Sequence, residues 1–135
     1  VTIKFRRKAD NWNINAVNKT VTGILEGTNV DDVINHFKTD DSTVTVTAPD
    51  NEAPKTVGTG YWLNIGSERY IIIVSGDVDG NAEIDIFDLY CMLDHINSTE
   101  MLTGAYFQAG CVNQNEDIDI FDVYSELEYI NNGSF

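Results

Sequence analysis

Two stretches of this chain set oxygen-bearing side chains at a fixed spacing. Residues 76–88 read GDVDGNAEIDIFD and residues 110–122 read GCVNQNEDIDIFD. Counting from the residue after each glycine, the first stretch places Asp77, Asp79, Asn81, Asp85 and Asp88 at positions 1, 3, 5, 9 and 12. Glu83 falls at position 7 and offers its backbone carbonyl. The second stretch carries Asn113, Asn115, Asp117, Asp119 and Asp122 at positions 3, 5, 7, 9 and 12. Oxygen donors recurring at alternate positions of a 12-residue loop can wrap a hard divalent cation, which takes six to eight of them. The chemistry on offer is therefore cation binding.

That ligand spacing is the one found in EF-hand calcium loops, and the expected ion is Ca2+. The first loop departs from the usual pattern in three ways. Position 12 is Asp88 instead of a glutamate, position 6 is Ala82 with the glycine moved to Gly80, and a β-branched run stands where a leading helix would be. Each copy is thus a loop followed by one helix. The duplicated loop–helix pattern resembles a dockerin, the calcium-binding docking module of cellulosomal proteins. The likeness rests on Gly76-Asp77-Val78-Asp79, on Ile84 and Asp88 at positions 8 and 12, and on the second copy beginning 34 residues later. The resemblance implies a calcium-dependent partner, a cohesin domain of a scaffold protein, and a secreted protein held in a polysaccharide-degrading complex. It also implies a monomer when unbound.

The second loop is expected to bind more weakly. Its position 1 is Cys111, and a thiol is a soft, poor ligand for calcium. Only Asp119 and Asp122 supply carboxylates there, against four in the first loop.

Helices are expected over residues 88–96 and 122–130, with a short helix within 99–108 interrupted near Gly104. Ile84, Leu89, Met92 and Ile96 share one helical face, as do Ile118, Val123, Glu126 and Ile130, and this face reads as core. A second stripe holds Ile86, Phe87, Tyr90 and Leu93 in the first copy, and Ile120, Phe121, Tyr124 and Leu127 in the second. So short a module cannot bury both stripes twice. The second stripe either packs on the rest of the chain or forms a partner surface. In dockerins positions 10 and 11 read the partner, so the resemblance implies an apolar cohesin-binding face, presented twice and usable in two orientations.

Charge divides the chain. All eight Lys and Arg residues precede residue 76, and 13 of the 22 Asp and Glu residues follow it. The last 60 residues sit near −13, and a segment of that charge repels itself unless a cation neutralises it. Nucleic acid is an unsuitable partner, because its phosphates demand Lys and Arg. No run of residues is long and apolar enough to span a membrane.

The positioning elements upstream read as strands and one helix. Strands are expected at residues 1–5, within 12–22, at 42–47, and as a hairpin of 61–65 with 69–75 around Gly66-Ser67. A helix is expected at 29–37, capped by Asn29 or Thr28. This order suggests a small α+β module over residues 1–75, mostly β and β-grasp-like, with a β-sandwich as the alternative. The strings VGTG and RYIIIVSGDVDG resemble the X-type modules that precede many dockerins. Residues 76–135 would then be an all-α dockerin module joined with no linker. Trp12, Tyr61 and Trp62 suit either core packing or a carbohydrate platform, so carbohydrate binding or cell-surface adhesion through the N-terminal module is the competing function. No catalytic constellation is present. A calcium sensor is disfavoured, since without leading helices there is no helix pair to open. Cys91 and Cys111 allow one disulfide, or two free thiols.

Overall fold

The computed structural model describes residues 12–38, 42–49, 54–112 and 117–132. The strand expected at residues 1–5 lies outside them. The first hairpin pairs Asn13–Asn15 (β1) with Thr20–Thr22 (β2). Helix Val30–Phe37 (α1) follows, then strands Val44–Thr47 (β3), Trp62–Ile65 (β4) and Glu68–Ile72 (β5). Together they form one five-stranded sheet in the order β1-β2-β5-β4-β3. Its pairings are antiparallel except for β2 with β5, which run parallel through Thr20↔Ile71 and Val21↔Ile72. Among the described residues a single mixed sheet forms, and not the β-sandwich of the alternative.

Alternation explains the sheet's inner face. Val44 and Val46 of the VTVT strand are buried while Thr45 is exposed, and in register beside them lies Leu63, also buried. These residues, with Val21 and Ile72, meet Val30 and Val33 of α1 in the main core. The apolar spacing of α1 thus places its buried face on the sheet, as period-3.6 patterning requires. Asn29 occupies the N-cap position, but its side chain makes no capping bond.

Three helices follow: Ile86–Ile96 (α2), Gly104–Gly110 (α3) and Ile120–Asn132 (α4). Helices α2 and α4 each begin two residues earlier than the sequence suggests. The reason is capping. Asp85 accepts from the Phe87 N–H at 3.1 Å, and Asp88 accepts in return from the Asp85 N–H at 2.8 Å. Asp119 and Asp122 repeat this at 3.0 and 2.8 Å. Two reciprocal bonds satisfy donors that would otherwise be orphaned at the helix start. Gly104, with φ +60°, opens α3 and does not interrupt it.

The expected division into an α+β domain and a separate all-α dockerin domain is overturned. The described residues form one small α+β domain, a five-stranded mixed sheet with four short helices. Contacts across residues 75 and 76 account for this. The strand direction of β5 continues into Ile73, which clusters with Ala105 and Ala109 of α3. The Thr59 N–H donates to Asp77 at 2.9 Å. Glu26, between β2 and α1, accepts from the Ile84 N–H at 2.6 Å and from the Tyr129 hydroxyl at 2.7 Å. A smaller core of Val78, Leu89, Met92, Ile118 and Val123 joins the two loop–helix copies. Among the described residues, no helix is long and apolar enough to cross a membrane.

Candidate metal centre and the helix face beside it

The first loop is built directly onto the sheet. Strand β5 delivers the chain through Val74 and Ser75 to Gly76, whose φ of +91° turns it inward. Asp77 is fully buried as a result. Its Oδ2 accepts from the Thr59 N–H at 2.9 Å and from the Ala82 N–H at 3.0 Å. Its Oδ1 is also buried and takes no hydrogen bond. Asp88, equally buried, accepts through Oδ1 from the Val78 N–H at 2.7 Å and the Asp79 N–H at 3.0 Å. Asp79 lies at the exposed mouth. One oxygen of each of Asp77, Asp79 and Asp88 lies within 4.8 Å of the others.

Backbone conformation explains how this loop departs from the usual one. Ala82 stands at position 6 with φ +73°, a left-handed conformation that costs a residue with a Cβ roughly 1–2 kcal/mol. The bond from its N–H to Asp77 holds it there. Gly80, at φ +76°, has no such latitude. A Cβ at that position would meet the Thr59 carbonyl oxygen at 2.6 Å and the Tyr106 ring at 2.9 Å. The displaced glycine is where the loop presses against the β-rich half.

Three carboxylates so close cannot all be charged without compensation. Burial pushes the Asp77 carboxyl up to about 7; the bonds from Thr59 and Ala82 oppose the rise and the charge of Asp79 adds to it. Burial likewise pushes Asp88 up to about 8, against backbone bonds from Asp85 and Asp79 and with the charges of Asp79 and Asp77. The donors are all hard oxygens, and Asp77 Oδ1 is a buried acceptor with no donor. A hard divalent cation is the partner this arrangement suits. Asn81 and Glu83 are exposed, and the Asn81 side chain accepts from the Glu83 N–H at 3.0 Å. Asp85, half-buried, serves as the cap of α2.

The second loop is only partly described, since Asn113 and Asn115 lie outside the described residues. Asp119 caps α4, and Asp122 is fully buried beneath it. Asp117 is exposed, and its Oδ1 accepts from the Ile118 N–H at 2.8 Å and lies 3.3 Å from Nε2 of His95. His95 is buried and accepts from the Leu102 N–H through Nδ1 at 2.9 Å, so its proton sits on Nε2, facing Asp117. The Cys111 thiol is pushed up to about 11 by burial and by Asp122, Asp117 and Asp119. A protonated thiol is a poor partner for a hard cation. Cys91 and Cys111 are unbridged. Among the described residues, no second group of three acidic, His or Cys ligands comes together.

The apolar stripe lies open beside these loops. Phe87 is 61 % exposed and its counterpart Phe121 is 63 % exposed. Ile86 and Tyr90 on α2, and Ile120, Tyr124 and Leu127 on α4, are exposed as well. Leu93 is the exception, half-buried against the smaller core. The core stripe is largely in place, although Ile96 is exposed. The aromatic residues of a possible carbohydrate platform are otherwise engaged. Trp12 packs on His36 with ring centroids 4.6 Å apart, the Arg69 guanidinium covers Trp62 at 4.1 Å, and Tyr61 packs on the main core.

Two acidic residues outside the expected ligand sets hold structural places, and one of them, Glu126, stands on the face that the sequence reads as core. Glu26 joins the sheet half to the loop and to α4, a long-range contact with no local signal. Glu126 is fully buried, and both its carboxylate oxygens lack a hydrogen-bond partner. Its signal was legible as the single acid in a stripe of otherwise apolar positions. No protein-family model matches the chain, and no curated protein or solved structure matches it.

Proposed function

We propose that the protein is a non-catalytic, calcium-dependent docking module, with the exposed faces of α2 and α4 as the surface that receives a partner. The observation that carries this reading is the duplicated apolar face. Two helices present the same Ile-Phe pair and the same following Tyr, both phenylalanines more exposed than buried, beside a loop with three converging carboxylates. Large apolar side chains are normally withdrawn from water, and a repeated exposed set is a feature of surfaces meant to be covered. Buried aromatic anchors supply most of the energy of such interfaces.

The likeness of the two loop–helix copies to a dockerin names the partner class, a cohesin domain. The protein would then anchor a secreted polysaccharide-degrading enzyme or scaffold in a larger assembly. The dockerin-like part works here as one portion of an α+β domain. Calcium at the first loop would fix the start of α2 through Asp88, and so the height at which Ile86 and Phe87 stand.

Immobilised cohesins and insoluble polysaccharide, each offered with calcium and with chelator, test the proposal. Calcium-dependent retention on a cohesin is expected. Phe87→Ala and Phe121→Ala should each weaken binding little if either helix can serve. The double variant should lose more than the sum, on the order of 2 kcal/mol or more. Retention on polysaccharide alone, or a double variant that binds as well as the parent, would overturn it.

A further inference from the structure

We propose, on the reading of the first loop as a calcium site, that Glu126 is a built-in charge partner of that ion, fastening α4 to the loop of the other copy. Glu126 has no exposed surface, and neither Oε1 nor Oε2 has a hydrogen-bond donor. Its counterpart in the first copy is Met92, fully buried and apolar, as a core position demands. A carboxylate in the same role is unfavourable unless something positive compensates it.

No basic side chain near it in sequence can do so, because every Lys and Arg precedes residue 76. The charges that act on it are acidic: Asp88 and Asp77 first, then Glu26 and Asp85. Burial above all, with these charges adding to it, pushes its carboxyl up to about 9. Glu126 shares the face of α4 that carries Val123, and Val123 lies in one buried core with Val78 of the first loop, so that face is turned toward the loop. Glu126 is not one of the three whose oxygens close to within 4.8 Å. Its part is to act on the ion through space within the buried interior, where charges are weakly screened. Asp77 Oδ1, buried and without a donor, shares the same need for positive charge. An ion in the loop answers both, and a doubly charged one answers them better than a singly charged one.

Calorimetric titration of calcium into the full chain tests this, with Glu126→Gln, Glu126→Met and, as a control, Asp77→Asn. Glu126→Gln keeps the shape and removes the charge, and Glu126→Met reproduces the side chain at Met92. Both should bind the first-loop ion about tenfold more weakly or worse, and Glu126→Met should melt higher than the parent in chelator. Calcium affinity unchanged in both Glu126 variants, with Asp77→Asn abolishing the tight site, would overturn this inference and leave the docking reading intact. A parent chain that binds no calcium would overturn both.

Discussion

The two loops end in the same four residues and open into helices capped in the same way, yet the fold treats them differently. The first is gripped from outside itself. Thr59 donates into Asp77, Glu26 accepts from Ile84, and Gly80 rests against Thr59 and Tyr106. In the second loop the equivalent of Ile84, Ile118, finds its acceptor in the side chain of the preceding residue, Asp117. The position-1 carboxylate that is buried in the first loop is a thiol in the second. Identical local sequence thus yields identical caps, while the surroundings decide which loop becomes a focus of buried negative charge.

The largest expected effect comes from removing the ion and changing pH. Folding raises the carboxyl values of Asp77, Asp88 and Glu126, chiefly through burial. Between the unfolded and folded values the folded chain holds protons that the unfolded chain has released, so stability falls as pH rises. The loss begins near pH 4 and runs through about 7 for Asp77, 8 for Asp88 and 9 for Glu126. In chelator, the melting temperature followed by circular dichroism should drop by roughly 10 °C or more between pH 5 and pH 8. Saturating calcium should remove most of that drop, since the ion replaces the protons. A melting temperature independent of pH in chelator would show that the first loop stores no such charge.

A smaller effect should follow from exchanging what distinguishes the loops. Calcium titration should resolve two unequal sites in the parent chain. Asp77→Asn should abolish the tighter one, and Cys111→Asp should strengthen the weaker one, because carboxylate count sets affinity in such loops. Two equal sites in the parent chain would erase the contrast.

The smallest effect concerns the outside grip. Glu26→Ala leaves the Ile84 N–H and the Tyr129 hydroxyl without that acceptor and should destabilise the chain by about 1–3 kcal/mol in denaturant unfolding. Asp117→Ala, at an exposed position, should cost less than about 1 kcal/mol. Equal losses would mean that the two loops are supported alike.

Those contrasts also mark what was legible in the sequence. The spacing of Asp77, Asp79 and Asp88 and the strand at VTVT follow from short-range pattern, which a linear reading captures, whereas the same pattern left open whether the Ile-Phe stripe packs or stays exposed. The parallel pairing of β2 with β5 does not, because the residues it joins are far apart in the chain and nothing local encodes which edges meet. The same distance hid the role of Glu26, and with it the closure of the two halves into one domain. Charge segregation suggested two modules. The buried bond from Thr59 to Asp77, with those of Ile84 and Tyr129 to Glu26, binds the acidic half to the sheet half in spite of it.

The direct passage from β5 into the first loop has a mechanical consequence. Strand β5 sits between β2 and β4, hydrogen-bonded on both sides, and reaches the loop with no slack segment between them. If a partner held the faces of α2 and α4 while the sheet was pulled the other way, the load would enter β5 along its length. Both ladders would then be strained in shear together, many bonds sharing the force, instead of parting one after another like a zipper. A module that holds cargo against flow would gain grip from that geometry.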